Sequence, residues 1–466
     1  METICFSANE KLYLQIYDYF VREIEGKRIQ SGDKLPASRK LADHLGVSLN
    51  TVKAAYDMLL EEGYIVAKER SGYYVDKILS GNFPHLDAAT EAFRPPELKT
   101  YRYNFKYSLT DQSKLPVTVI KKCAQAAVQQ ALETPDPARE GVWALRQEIA
   151  KYLKDRRGVY SSPENILVTS GFEDHLFLLS ALLPQALFAL ESPGYTRLSF
   201  ILQSLGQKYL YVPIDQYGFS VKDLEQTSAN VVITSPNHQF PTGLITGIRR
   251  RQRLLNWAKE RPGRYIVEDD YNSDFKYTGR PIPALKSMDE KDCVILSGSF
   301  SQSIGKFLGI SYLVLPDQLL DEATALQLPL QQVSPFLQYM LKEFLARGDF
   351  EKHLNRMNTL YSRKRKKFLK ALKQAECADH VELSGSEAGL HIIAKLDPNY
   401  FDLENLEDRM ADQEVYVERV QKYAQGPWPE NEVILGFGGI REDQLAEAVD
   451  YFFQILHQAD SPSHSD

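Results

Sequence analysis

Cysteine is scarce. The chain has four in 466 residues (Cys5, Cys123, Cys293 and Cys377), far apart and never as a CxxC pair. That argues against a disulfide framework and a thiolate zinc site, and no metal is expected; a reducing cytosol fits best. Long apolar runs are also missing. No segment is long enough to span a bilayer, and the opening stretch METICFSANEKLYLQ lacks a basic region followed by an apolar core. No membrane partner and no secretory leader are expected, which points to a cytoplasmic protein. Positive charge is not in excess either: the net charge is −7. This excludes a protein that coats nucleic acid non-specifically, but leaves room for a small DNA-reading module on an acidic body. What is present, 43% hydrophobic and 25% charged residues, is the composition of an ordinary globular protein with room for one large and one small domain.

The pattern along the chain divides it in two. Residues 8–76 form a compact helical pattern that ends in a short hairpin. Residues 77–102 mix Pro, Gly and charge without periodicity and read as a linker. Residues 103–460 alternate short apolar runs (NILVTS, ALFALES, NVVITSP, RYIVEDD, DCVILSGSF) with helical patterns, the signature of an α/β domain with a mostly parallel central sheet. After about residue 330 come long helical patterns and the runs LHIIAKL, EVYVERV and EVILGFGGI. These predict a smaller α+β lobe closed by a helix over 442–458.

In the first helix Leu12, Ile16, Tyr19, Phe20 and Ile24 share a face. Two further helices flank a tight turn at Gly46. Ser38 can cap the first, with Leu41, Ala42 and Leu45 inward. Ser48 can cap the second, where Val52, Ala55, Tyr56 and Leu59 make the buried stripe and Leu49, Asn50 and Lys53 lie outside. YIVAKERSGYYV predicts a two-strand wing turning at Arg70, Ser71 and Gly72. The plainer reading is a generic helical cap with solvated charges. Against it, GDKLPASRKLADHLGVS, NTVKAAYDMLLEEGYI and RSGYYV together resemble the GntR-type winged helix-turn-helix. The resemblance implies a double-stranded DNA operator as partner. Arg39 and Lys53 would meet phosphates or bases, Ser48, Leu49, Asn50 and Thr51 would open the recognition helix, and Arg70 and Gly72 would form the wing. Leu49 stands where that family usually has Arg; it can touch a thymine methyl but cannot grip guanine.

The body resembles fold-type I aminotransferases, and the whole chain resembles their MocR-type regulator relatives, a GntR-like reader fused to an aminotransferase-like body. GVWALRQEIAKYLKDRRGV, ESPGYTR, SPNHQFPTG, VEDDYNSDFKY and GSFSQSIGKFLGISYLVLP occur in the family's order. The resemblance implies a pyridoxal phosphate (PLP) pocket. Asp269 would pair with the ring nitrogen, Tyr271 approach the 3-oxygen, Tyr195 stack on the ring and Arg197 grip a ligand carboxylate, with Ser299, Ser301 and Gln302 on the Ser-rich loop. The plainer reading of these polar side chains is strand-end packing.

The family pattern breaks at four places, in five residues. Gln302 replaces the Schiff-base Lys, and an amide nitrogen does not form an imine. Gly309 replaces an Arg on the cofactor phosphate. Phe172 and Glu173 follow the Gly whose backbone meets that phosphate, where the family prefers small, neutral residues. Ile434 stands where relatives often carry a carboxylate-binding Arg. The reading is therefore a non-enzyme with no catalytic residues and no covalent cofactor. PLP would enter only as a non-covalent ligand, and the body would serve as homodimer scaffold and sensor of an unknown small-molecule effector. The rival is a PLP-dependent regulator or aminotransferase that holds PLP non-covalently or uses Lys306, four residues on, whose plainer reading is a surface charge.

Overall fold

The computed structural model describes residues 4, 6–7, 11–68, 71–76, 99–134, 138–277, 283–305, 307–327 and 333–457. The expected linker (but for its last residues), Arg70 and Lys306 lie outside them. Two compact units emerge, Met1–Lys99 and Thr100–Asp466.

In the first unit, helices α1 (Leu12–Glu25), α2 (Ser38–Leu45) and α3 (Leu49–Glu61) precede an antiparallel ribbon of β1 (Ile65–Lys68) and β2 (Gly72–Val75). The core is built on period: Ile16, Phe20 and Ile24 of α1 and Val52, Ala55, Tyr56 and Leu59 of α3 are all buried. Each large side chain among them contributes roughly 1.5–3 kcal/mol by leaving water. Tyr56 also donates its hydroxyl to the Pro36 carbonyl at 2.9 Å, so its polar end is not orphaned. The face of α1 is narrower than its periodicity suggests, since Leu12 is 41% exposed and Tyr19 is half-buried. The capping of α2 also differs from expectation. Its N-cap is Ala37, whose side chain accepts nothing, and Ser38 is already the first helical residue. Gly46 follows α2 in the left-handed conformation (φ 65°), which glycine adopts without a steric cost.

The second unit opens with β3 (Tyr103–Asn104), α4 (Val117–Glu133) and α5 (Trp143–Tyr152). Strands and helices then alternate: β4 (Ile166–Thr169), α6 (Phe172–Leu182), β5 (Leu187–Ser192), α7 (Arg197–Ser204), β6 (Lys208–Asp215), β7 (Gly218–Phe219), α8 (Val221–Leu224), β8 (Val231–Thr234), α9 (Ile248–Lys259), β9 (Tyr265–Asp270), β10 (Val294–Ser299), α10 (Ser301–Ile304), β11 (Ser311–Val314) and α11 (Asp317–Leu326). These strands form one sheet in the order β4-β11-β10-β9-β8-β5-β6-β7. From β10 to β6 neighbours run parallel; β11 and β7 are the antiparallel strands. Successive residues feed opposite faces. Val231, Ile233 and Val267 pack with Leu176 and Leu202 of α6 and α7, whereas Val232 and Ile266 pack with Leu254 and Trp257 of α9. Both faces are covered, so the strands read as continuous apolar runs.

Helices α12 (Pro335–Ala346) and α13 (Asp349–Gln374) lead to the smaller lobe. It holds β12 (Val381–Ser384), β13 (His391–Leu396), α14 (Leu406–Asp412), β14 (Val415–Tyr416), β15 (Glu418–Arg419), β16 (Glu432–Gly436) and α15 (Leu445–His457). A four-stranded sheet of order β12-β13-β16-β15 packs Ile392, Ala394 and Leu435 against Phe368 of α13 and Phe452 of α15. The closing helix starts at Leu445, three residues later than its pattern predicts.

Candidate functional site

The first candidate surface is on the reader unit. The Ser48 hydroxyl accepts from the Thr51 backbone N–H at 3.1 Å, which caps α3 and ties Thr51 back to the turn. With the buried stripe facing the core, Asn50 and Lys53 are left exposed, as is Arg39 on α2. None of the three makes a hydrogen bond or ion pair among the described residues, so their polar ends are available. Leu49 is half-buried at the start of α3. On the wing, Gly72 opens β2 at φ 108° opposite Lys68. Two lysines that sequence reasoning missed flank it: Lys68 and Lys34 lie 4.4 and 5.6 Å from the Tyr74 ring centre. Their signal was a basic residue at the strand end and another before LPAS; neither belongs to a helical stripe.

The second is a cavity of about 420 Å³ at the carboxyl ends of the parallel strands, the place where open α/β sheets bind ligands. Tyr195, Arg197, Asp269, Tyr271, Ser299, Ser301 and Gln302 all line it, with Phe172, Glu173 and Gly309. Sheet order explains the convergence. Asp269 is the last residue but one of β9, Ser299 ends β10, Tyr195 follows β5, and the turn after β4 carries Gly171 into α6.

The floor is a network of satisfied polar groups. Asp270, beside Asp269, is gripped by Arg157 through two 2.7 Å bonds and takes a third from Asn237 at 2.7 Å. Glu268 accepts from the Leu285 and Lys286 amides at 2.7 and 2.9 Å. Glu191 accepts from Thr234 at 2.6 Å and from Ser235 and Gln239. His175 bridges the hydroxyls of Thr169 and Ser297 at 2.6 and 2.8 Å, and burial pushes its pKa down to about 3. It is therefore neutral at pH 7.

Asp269 is the exception. Among the described residues its carboxyl has no hydrogen bond and no ion pair. Burial and the nearby Glu191, Asp270 and Glu268 push it up to about 8. Tyr271 meets His238 Nδ1 at 3.0 Å. The Tyr195 ring is 37% exposed and stands edge-on to Phe240 at 6.1 Å.

The positions that depart from the family pattern are equally specific. The Gln302 Oε1 is buried with no partner among the described residues. Gly309 sits at φ 55° with open space where a side chain would begin. Glu173 does not wait for a ligand; it pairs with Arg197 at 3.0 Å on the cavity rim. The Glu173 carboxylate also lies 3.1 Å from where a Cβ on Gly171 would be, over the start of α6. Ile434 is buried in β16 beside Phe240 and does not reach the cavity.

PLP fits this cavity only in part. Asp269 and Tyr195 suit its ring, but no described lysine lines the cavity for an imine, and the phosphate end would meet Glu173 in place of a cation.

Comparison with known proteins places both units. Residues 12–75 match the model of bacterial regulatory proteins of the gntR family, and residues 106–450 match aminotransferase class I and II. The uncharacterized HTH-type transcriptional regulator YdeL of Bacillus subtilis is 35% identical over 94% of this chain and 95% of its own length. The chain belongs to the MocR-type family of HTH transcriptional regulators. Other members are the pyridoxine biosynthesis regulator PdxR of Corynebacterium glutamicum, 32% identical over 89% of each chain, and the probable rhizopine catabolism regulatory protein MocR of Rhizobium meliloti, 28% identical over 95% of this chain and 93% of its own. A crystal structure of an archaeal alanine:glyoxylate aminotransferase superposes with a TM-score of 0.70 at 24% identity, over 78% of this chain and 92% of that one, and supports the fold. As a MocR-type protein the chain is a DNA-binding transcription regulator with an aminotransferase-like domain. No described helix is long and apolar enough to cross a membrane.

Proposed function

We propose that this MocR-type regulator uses its aminotransferase-like body as a dimerisation scaffold and ligand sensor, without Schiff-base chemistry. The observation that carries the reading is Gln302. It lies in the cavity with Asp269, Tyr195 and Tyr271, and its buried Oε1 is an acceptor where an imine would need an amine. Gly309 and the Glu173–Arg197 pair support it, because they remove positive charge from the place where a phosphate would lie. PLP, if taken up at all, would be held without a covalent bond, by Asp269 and the Ser-rich loop. The alternative that uses Lys306 rests on a residue outside the described ones.

The scaffold role is supported by an exposed apolar stripe. Val117, Val128 and Leu132 are 55%, 48% and 72% exposed. At about 100° per residue they fall within about 60° of one another around α4, which suits a second copy of the chain. Two readers would then meet two half-sites of an operator, with Arg39, Asn50 and Lys53 at the duplex and Ser48 and Thr51 fixing the start of the recognition helix.

An absorption spectrum of the purified full chain with and without PLP tests the reading, followed by borohydride treatment and mass measurement. No aldimine band and no added mass on a lysine are expected. A stable adduct, on Lys306 above all, would overturn it.

A further inference from the structure

The cavity's electrostatics point away from a phosphate and toward a cation. Among the described residues Arg197 is the one Lys or Arg on its wall, against three acids, Glu173, Glu191 and Asp269. Arg197 is already paired with Glu173. The start of α6, where backbone N–H groups would meet an anion, is covered by the protein's own carboxylates. Glu173 overlies Gly171, and Asp174 accepts from the Ser170 amide at 2.9 Å. A phosphate there would displace one carboxylate and face the other.

Asp269 is the complementary half of the argument. The neighbouring acids are each satisfied: Asp270 by Arg157, Glu191 and Glu268 by hydrogen bonds. Of these acids Asp269 alone has no donor among the described residues, and the nearby carboxylates of Glu191, Asp270 and Glu268 deepen the negative potential there. A bound cation would take the place of the proton that Asp269 keeps while the cavity is empty. The walls around it are aromatic: Tyr195, Phe240, Tyr107 and Tyr271. Aromatic faces favour flat, positively charged groups. The Gln302 Oε1, buried with no partner among the described residues, adds a second acceptor within the same cavity.

We propose that the cavity takes a planar aromatic cation without a phosphate, held by Asp269 and Gln302 between aromatic side chains, with the Glu173–Arg197 pair excluding phosphorylated analogues. This rests on the reading of the body as a non-covalent sensor. It goes further by naming the ligand's charge, shape and lacking group.

The test uses the full chain and a matched pair of probes, pyridoxamine and pyridoxamine 5′-phosphate, titrated calorimetrically. Pyridoxamine should bind at least tenfold more tightly than its phosphate ester. Asp269→Asn should weaken pyridoxamine at least tenfold, and Gln302→Met severalfold. Glu173→Gln should tighten the phosphate ester about tenfold and leave pyridoxamine nearly unchanged. Equal or tighter binding of the phosphate ester to the unmodified chain overturns the proposal, as does no binding of pyridoxamine or indifference to Asp269→Asn. A PLP aldimine on the same preparation would instead sink the sensor reading beneath it. Without an aldimine, a preference for the phosphate ester counts against this inference alone.

Discussion

Replacing Asp269 by Asn should make the ligand-free protein more stable. The Asp269 carboxyl is pushed up to about 8 from an ordinary 3.8 by burial and by Glu191, Asp270 and Glu268. The folded state therefore holds a proton that the unfolded chain has released. Folding gives up stability as pH rises from the unfolded pKa through the folded one. By pH 7 about three of the roughly four pKa units between the two values have been crossed, which corresponds to roughly 4 kcal/mol, or about 2–4 kcal/mol once the carboxyl's partial access to the cavity is allowed for. Asn has a similar shape, no charge to desolvate and no bond to break, since Asp269 makes none among the described residues. Other ionisable groups near the carboxyl, Tyr107, Tyr195 and Tyr271, are themselves pushed up by burial and stay neutral in this range. Thermal melts of the two proteins should thus differ little near pH 4. Their stability difference should widen about threefold between pH 5 and pH 8 and level off above. An Asn variant that melts lower than the parent, or a gap that ignores pH, would refute the reasoning.

Four further outcomes are expected. Lys53→Ala should weaken DNA binding across sequences and reduce the salt slope by about one, whereas Leu49→Arg should change base preference; titrations of duplex libraries at several salt concentrations distinguish the two. Gln302→Lys alone should give at most a weak aldimine band with PLP, and adding Gly309→Arg and Glu173→Gln should strengthen binding more than additively, because all three act on one bound anion. His175, His238 and His391 are buried with pKa values down at about 3, 3 and 4. Their folded values lie below the unfolded 6.5, so stability is full above that pH and is lost as pH falls beneath it. His391→Gln should flatten the acid limb by about 1.4 kcal/mol per pH unit in denaturant titrations. If the proposed dimer forms through α4, Leu132→Glu with Val128→Glu should leave the full chain monomeric in sedimentation, still folded by circular dichroism, and melting lower because the partner's stabilisation is lost.

Much of this architecture was legible from periodicity. Val52, Ala55, Tyr56 and Leu59 recur at helical spacing and are all buried. The five apolar runs became β4, β5, β8, β9 and β10, because strands covered on both faces leave an unbroken apolar signature. Less legible was β6, where Lys208 and Asp215 at its ends dilute the pattern. The antiparallel sense of β11 was also hidden, since strand direction depends on partners and leaves no mark in a four-residue run. The cavity residues could be named individually only through the family resemblance of the loops that carry them, which lie at or just past strand ends. Their pairing could not. Nothing local in ESPGYTR and SGFEDHL says that Arg197 and Glu173 meet, and a glycine in the sequence does not reveal that Gly309 stands at φ 55°. Arg at that position therefore meets a backbone cost of about 1 kcal/mol as well as a change of charge. Ser38 shows the limit of capping rules: a good capping side chain is of no use one residue inside the helix.

The crowding beneath the cavity has one more consequence. Gly298 of β10 lies under the Tyr312 ring of β11, so closely that any side chain there would collide with it. His175 and the Arg157–Asp270 pair lock the surrounding strands. Such a floor does not sag into an unfilled space, so a ligand would pay little to reshape it. The part free to respond is the rim, where the Glu173–Arg197 pair joins the first turns of α6 and α7 in solvent and is weakly held. If the body senses a ligand as proposed, ligands that differ at the phosphate end would be told apart there, by whether the two helix starts stay paired or are let go.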